Sequence, residues 1–154
     1  MSEMANSGPD AAALQQFVAL YNQLNFTNLT LLRELYAEQV EFIDPVHQIN
    51  GLCALEQYFA HAYQNLQHCR FEIKAQGSGP HWGFVSWQMT FNHLAINNGQ
   101  PVVVDGCTEL TYQADGKICR HRDYYDLTQM VYQHLPVIGW LTGKVRQRMA
   151  NSTT

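Results

Sequence analysis

The sequence predicts an α+β domain in which a curved antiparallel β-sheet wraps around N-terminal helices. Two observations predict this class. Apolar residues three and four positions apart fill the first part of the chain, and alternation with period two fills most of the rest. Helices followed by consecutive strands are typical of α+β folds. We expect the concave side of such a sheet to hold a ligand.

Three helices are predicted in the N-terminal half. The first follows Asp10, a residue type favoured at N-caps, and its apolar side chains are Leu14, Phe17, Val18, Tyr21 and Leu24. The second is short and buries Leu29, Leu32, Leu35 and Tyr36. The third opens after Gly51, and its stripe includes Leu52, Leu55, Tyr58, Phe59, Ala62, Tyr63 and Leu66. Before it, a short strand over 40–43 stops at Asp44-Pro45, because proline has no backbone donor.

Strands are predicted after the third helix, over residues 70–75, 81–94, 101–112 and 117–126. On the longest, one face carries Val85, Trp87, Met89, Phe91 and His93, and the other carries Phe84, Ser86, Gln88, Thr90 and Asn92. Turns are expected at residues 77–79, 97–99 and 115–116, with a bulge at Asp105-Gly106.

The chain is expected to have three parts. Residues 1–9 form a disordered N-terminal lead, and residues 10–135 form the domain. Residues 136–154 form a helical tail with Ile138, Leu141 and Val145, and Thr128 caps the helical segment before it.

The charge balance argues against a nucleic-acid partner. Nine Lys and Arg stand against 13 Asp and Glu, so the formal net charge is -4. A nucleic-acid surface needs clustered basic residues. The one basic group, Lys144, Arg146 and Arg148, is interpreted as a solvated face at a helix C-terminus rather than as a phosphate or membrane site.

No apolar run is long enough to span a membrane, and the first residues lack the pattern of a signal peptide. We therefore predict a cytoplasmic protein without a membrane partner. The cysteines, which form no CxxC pair, are predicted to be reduced and mostly buried; they are Cys53, Cys69, Cys107 and Cys119.

The last predicted strand carries the strongest candidate site. His121, Asp123 and Tyr125 share one face of it. An apolar pocket raises the pKa of a carboxyl group toward neutrality, where it serves best as a general acid or base. The side chains that could line such a pocket are Phe17, Tyr58, Trp87, Met89 and Phe91. Asp44 is a second candidate carboxylate, although either aspartate could instead cap a turn or pair with an arginine.

His121 next to Asp123 is either a base oriented by a carboxylate or half of an HxD metal pair. A metal site needs a third ligand, and no residue is spaced suitably to supply one. The sequence therefore predicts neither a metal nor a cofactor.

The order of elements, the FIDPV stretch at 42–46 and the final DGKICRHRDYYDL at 115–127 resemble the nuclear-transport-factor-2-like superfamily, in its SnoaL-like and ketosteroid-isomerase-like branch. The resemblance covers about residues 11–135. It implies a cystatin-like α+β roll, in which a cone-shaped, strongly curved antiparallel sheet is closed by three helices. Proteins of this kind are commonly dimeric through the outer sheet face. On that face we expect Phe84, Ser86, Gln88 and Thr90.

The resemblance also implies site residues. FIDPV is similar to the EDPV stretch of steroid isomerases, which places Asp44 where their general base lies. In the positions of their two oxyanion donors, a tyrosine and a protonated aspartic acid, this chain has Phe17 and Thr108. HRDYYDL is similar to the WRDYFDL end of limonene-epoxide hydrolases, which supports Asp123. Those enzymes carry an Arg and a second Asp where this chain has Trp87 and Met89.

Together these observations predict a cofactor-free isomerase, cyclase or epoxide hydrolase that acts on a small hydrophobic substrate. The predicted catalytic residues are Asp123, Asp44 and His121. The predicted substrate-binding residues are Phe17, Tyr21, Tyr58, Trp87, Met89, Phe91, Thr108 and Tyr125. The alternative is a non-catalytic module, either a hydrophobic-ligand binder or a dimeric scaffold.

Overall fold

A computed structural model describes residues 9–151, without the side chains of residues 9, 10, 136 and 137. The helices are α1 (Pro9–Tyr21), α2 (Leu32–Leu35), α3 (Leu52–Tyr63), α4 (Leu127–Met130) and α5 (Pro136–Asn151). The strands are β1 (Tyr36–Ile43), β2 (Gln48–Asn50), β3 (Leu66–Gly79), β4 (Trp82–His93), β5 (Val102–Tyr112) and β6 (Ile118–Tyr125). The predicted lead lies outside the described residues except for Pro9, which begins α1.

One six-stranded sheet has the order β2-β1-β6-β5-β4-β3. The pairings are antiparallel except that β1 runs parallel to β6. The sheet is therefore mixed, whereas the prediction had it antiparallel throughout. The α+β class is confirmed, because the N-terminal helices pack on one face of this sheet.

The predicted faces of the long strands are confirmed. In β4, Val85, Trp87 and Phe91 are buried, while Phe84 on the opposite face is 39% exposed. The helix α1 covers the inner face with Leu14, Phe17 and Leu20, all buried. Burial of these apolar side chains is the main stabilising contribution to the fold.

Two predicted helical residues lie in strands instead. Tyr36 opens β1, where it pairs with Ile118, and Leu66 opens β3, where it pairs with His93. Both residues continue an apolar spacing that fits a helix, but pairing with distant strands overrides this local preference. None of the cysteines is fully buried, because Cys53 is exposed and the other three are half-buried.

Two predicted irregularities in the sheet were also wrong. Residues 77–79 continue β3, and the turn falls at Pro80-His81, where His81 has a φ of 65°. No bulge occurs at Asp105-Gly106, since both residues keep the register of β4 and β5. Gly106 is required for another reason: the ring of Trp87 lies against it, and a Cβ there would overlap the ring. The turns at 97–99 and 115–116 are confirmed by positive φ at Asn97, Asn98, Gly99 and Gly116.

The C-terminal part begins at Asp126, whose side chain accepts a hydrogen bond from the backbone N–H of Thr128 at 2.7 Å. Asp126, rather than Thr128, is thus the N-cap of α4. A 3₁₀ turn over Tyr132–His134 leads into α5. Among the described residues, no helix combines the length and the apolar character needed to cross a membrane.

Candidate active site

A cavity of about 290 Å³ lies between the helices and the inner sheet face. Aromatic rings form most of its wall: Tyr21, Phe42, Tyr58, Phe59, Tyr63, Phe71, Trp87, Phe91 and Tyr125. Met130 and Val131 line it near the C-terminal helices. Two carboxylates reach this apolar space: Asp44, which directly follows β1, and Asp123 on β6.

Asp123 is held by its two neighbours on the sheet. Thr108, its partner across β5 and β6, donates a hydrogen bond to Asp123 Oδ1 at 2.5 Å. His121 Nε2 lies 2.8 Å from the same oxygen. The Asp123 side chain is 17% exposed, and among the described residues both of its hydrogen bonds go to Oδ1. Oδ2 is thereby left for a ligand.

The Thr108 hydroxyl also accepts a hydrogen bond, from Trp87 Nε1 at 2.9 Å. Because that indole nitrogen can only donate, the hydroxyl proton of Thr108 is directed to the carboxylate. Trp87, Thr108 and Asp123 thus form a row across three adjacent strands, β4, β5 and β6.

His121 is completely buried behind Asp123. Its Nδ1 lies 2.8 Å from the hydroxyl of Tyr36, which lies 2.8 Å from the hydroxyl of Tyr21. When the Nε2–H group of His121 donates to Asp123, Nδ1 can accept a hydrogen bond from the Tyr36 hydroxyl. Burial raises the pKa of both tyrosines well above the ordinary value, so both keep their protons.

Asp44 has a different environment. Its Oδ1 accepts hydrogen bonds from the backbone N–H groups of Val46 at 2.7 Å and His47 at 2.6 Å, and Oδ2 accepts from the Tyr58 hydroxyl at 2.7 Å. His47 Nδ1 lies 3.2 Å from both oxygens. Burial alone would raise the pKa of Asp44, but these hydrogen bonds outweigh it and lower the pKa.

The structure brings most of the predicted site residues to one cavity. Asp44, Asp123 and six of the predicted substrate-binding residues line it; the six are Tyr21, Tyr58, Trp87, Met89, Phe91 and Tyr125. His121, Thr108 and Phe17 lie behind this wall. Phe17 packs edge-on against the His121 ring, with 5.8 Å between centroids. The roles of all these residues stay predictions.

Sequence reasoning missed several residues of the site: Tyr36 and His47, and on the cavity wall Phe42, Phe59, Tyr63 and Phe71. Tyr36 was expected on a helix, and its contact with His121 joins positions 85 residues apart. His47 had a detectable signal, because an aspartate before proline often accepts hydrogen bonds from the residues that follow it. Cys69 also lines the cavity, and burial raises the pKa of its thiol to about 12.

Metal ligands are not grouped in residues 9–151: no three His, Cys, Asp or Glu side chains lie close enough together to hold an ion. The ionisable groups that line the cavity are two carboxylates, four phenols, the imidazole of His93 and the thiol of Cys69.

Known structures share this fold. A proposed SnoaL-like polyketide cyclase from Jannaschia sp. CCS1 is 16% identical, with a TM-score of 0.71 over 83% of this chain and 94% of that one. A proposed isomerase of the SnoaL-like family from Agrobacterium tumefaciens is 18% identical, with a TM-score of 0.60 over 77% and 97%. TerC, co-crystallised with polyporic acid, is 17% identical, with a TM-score of 0.68 over 80% and 95%. At these identities the likeness shows the fold and not the activity.

Curated proteins give no significant match to the sequence. The family comparison does: the model of the SnoaL-like domain matches residues 14–121, which include most of α1, the helix α3, the strands β1 to β5 and the first half of β6. The chain therefore belongs to the SnoaL-like domain family.

Proposed function

We propose that this protein is a cofactor-free enzyme that moves a proton within a small apolar substrate, in an isomerisation or a cyclisation. One observation carries the proposal: Asp123 lines an aromatic cavity with one carboxylate oxygen fixed by Thr108 and His121. A carboxylate held in this way on rigid strands is preorganised for proton transfer.

In the proposed reaction, Asp123 Oδ2 takes a proton from a carbon next to a carbonyl group of the substrate. The C–H electron pair moves into the new carbon–carbon double bond, and the carbonyl oxygen becomes an enolate oxygen. In an isomerisation, Asp123 then returns the proton to a different carbon and the carbonyl group is restored. In a cyclisation, the enolate carbon attacks a second carbonyl and closes a ring, and Asp123 returns the proton to the alkoxide oxygen that forms. His121 and Thr108 act as positioning residues, because they touch Asp123 rather than the cavity.

The enolate oxygen needs a hydrogen-bond donor. Tyr125 lies two residues from Asp123 and lines the same cavity. Burial, with smaller contributions from Asp44 and Asp123, raises the pKa of Tyr125, so the phenol keeps its proton for donation.

Asp44 is the second carboxylate of the proposed site. Because its pKa is lowered, it is ionised at neutral pH and cannot supply a proton to an epoxide oxygen. This favours isomerisation or cyclisation over epoxide hydration, which needs such an acid. Asp44 instead orients Tyr58 and His47 at the cavity wall.

The residues that line the cavity indicate the substrate class. Nine aromatic rings and few polar groups suit a flat, apolar, cyclic ketone. The names of two related structures support this class, since one is a proposed polyketide cyclase and the other was crystallised with polyporic acid.

The test is proton exchange. The protein is incubated in heavy water with a panel of cyclic unsaturated ketones, and deuterium uptake and isomer formation are followed by NMR. We expect Asp123→Asn to lower the exchange rate by roughly 10²–10⁴-fold. Asp105→Asn is the matched control, because Asp105 is exposed and its side chain bonds only to Gln88 among the described contacts.

Two outcomes separate the proposal from its alternative, a module that binds an apolar ligand without reaction. Exchange that Asp123→Asn leaves unchanged contradicts the proposed role of Asp123. If native mass spectrometry shows panel ketones bound to the wild type but no exchange occurs, the binding module is favoured.

We also propose a homodimer through the outer sheet face. Phe84, Val103 and Tyr124 on strands β4, β5 and β6 are 39%, 49% and 41% exposed there. Sedimentation of a 17.6 kDa monomer at micromolar concentration contradicts the dimer. A cytoplasmic location stays a prediction.

A further inference from the structure

Helix α5 presents an apolar stripe to solvent. Ile138, Leu141 and Val145 are 44%, 55% and 52% exposed. Their spacing of three and four residues places them on one side of the helix. Trp140, 61% exposed, lies about 100° around the helix from Leu141, on the far side of Lys144. Contiguous exposed apolar side chains of this kind mark interaction sites in folded proteins.

A different side of α5 attaches it to the domain. Arg146 Nη2 contacts Asp126 Oδ2 at 2.7 Å. Gly139, two turns earlier on the same side, lies against the backbone of Gln133, where a Cβ would come within 2.5 Å of the carbonyl oxygen. The stripe is therefore turned away from the attachment and remains accessible.

The charge of α5 indicates its partner. The helix carries Lys144, Arg146 and Arg148 and no acidic residue, although acidic residues outnumber basic ones in the whole chain. Lys144 and Arg148 flank one edge of the stripe, and the Lys144 ammonium lies 4.4 Å from the centroid of the Trp140 ring. A second α5 on this stripe would bring the same positive charges together, which is unfavourable. A negatively charged apolar surface would match both features.

We propose that α5 binds the surface of a membrane that contains anionic lipids. The stripe would enter the boundary between headgroups and acyl chains, and Lys144 and Arg148 would contact lipid phosphates. The sequence alone predicted a solvated basic face, because exposure of Ile138, Leu141 and Val145 cannot be recognised from their spacing.

Docking in this way would bring the cavity close to the bilayer. Met130 and Val131 line the cavity, and only residues 132–135 separate them from α5. An apolar ligand dissolved in the membrane would then have a short path into the aromatic cavity. The membrane proposal itself does not depend on the proposed reaction.

Vesicle flotation tests the surface. The full chain is mixed with vesicles of phosphatidylcholine alone, or with added phosphatidylglycerol. We expect the protein to float with the anionic vesicles only, and less so as salt is raised. The double variant Lys144→Gln/Arg148→Gln should bind roughly twentyfold more weakly, about fivefold for each charge. Leu141→Ser/Val145→Ser should abolish flotation.

Matched controls are Phe26→Ser, an apolar residue 60% exposed outside α5, and Lys74→Gln, an exposed lysine on β3. Both should float as the wild type does, and circular dichroism should show that every variant is folded. The proposal is overturned if the wild type does not float with the anionic vesicles. It is also overturned if the control variants lose flotation as much as the α5 variants do. A dimer that Leu141→Ser/Val145→Ser converts to a monomer, without any flotation, would assign the stripe to a second copy.

Discussion

Replacing Thr108 by valine should destabilise the protein strongly, although the two side chains have nearly the same shape. Thr108 is 2% exposed, donates to the Asp123 carboxylate and accepts from the Trp87 indole. Valine removes the first hydrogen bond and leaves the indole N–H, on a residue only 6% exposed, without its acceptor.

The magnitude follows from these two losses. A hydrogen bond to a charged group contributes about 1.5–3 kcal/mol, and an unsatisfied buried donor costs about 1–3 kcal/mol. The two effects share one hydroxyl and are not simply additive. We expect the free energy of unfolding to fall by about 2–4 kcal/mol, because one additional buried methyl group offsets only about 0.8 kcal/mol.

Urea denaturation followed by far-ultraviolet circular dichroism measures the change, with an unchanged dependence on urea expected. Thr108→Ser is the control: it keeps the hydroxyl and loses one methyl group, so the loss should stay near 1 kcal/mol. The indole N–H resonance of Trp87 should shift in the valine variant and not in the serine variant. A valine variant as stable as the wild type, or a serine variant equally destabilised, refutes the assigned network.

Three further predictions concern other groups. Because the pKa of Asp44 is lowered in the folded protein, its contribution to stability is present above about pH 4 and is lost as pH falls through the folded-state pKa. When the urea midpoint is plotted against pH, Asp44→Asn should therefore reduce the fall in stability at acid pH. An unchanged fall contradicts this. Because the pKa of Cys69 is raised to about 12, little of its thiol is ionised at neutral pH, and it should react with a disulfide reagent far more slowly than the exposed Cys53. Equal reaction rates in single-cysteine variants contradict this. Gly106→Ala should lower the free energy of unfolding by about 1–3 kcal/mol, because its Cβ would overlap an indole ring. Gly77→Ala, with open space around its Cβ, should change it little. Similar losses of unfolding free energy in the two variants contradict this.

Local patterns predicted much of the fold. Alternation in residues 81–94 and 117–126 is independent of the strand partners, so the inner faces carrying Trp87 and Asp123 were predicted correctly. The spacing of Leu14 and Phe17 likewise identified the buried face of α1. These patterns predict the buried face correctly because each depends only on the geometry of its own helix or strand.

Long-range partners could not be predicted in this way. Tyr36 fits a helical stripe in the sequence, yet it opens β1 and contacts His121. Residues 77–79 are rich in glycine, yet they pair with β4 because the strand continues to a tight turn at Pro80-His81. Both errors arise where pairing between distant segments outweighs local preference.

The network also bears on which group can stabilise an enolate. In steroid isomerases, the resemblance places the oxyanion donors at the positions of Phe17 and Thr108. Here Phe17 packs on His121, and the Thr108 hydroxyl donates to Asp123, so both positions support the carboxylate. If the proposed proton transfer takes place, a donor for the substrate oxygen has to come from the cavity wall.

The phenols of the wall differ in this respect. Tyr58 donates a hydrogen bond to Asp44, and Tyr21 shares a hydrogen bond with Tyr36 in the network behind Asp123. Tyr63 lies at the end of α3 and not on the strand of Asp123. Tyr125 lies on the strand and face of Asp123, and its raised pKa keeps the proton in place. If Asp123 removes a proton from a ketone, Tyr125 is therefore the phenol best placed to donate to the oxygen that gains charge. The same strand would then supply both the base and the oxyanion donor, at a separation fixed by the pleat of β6.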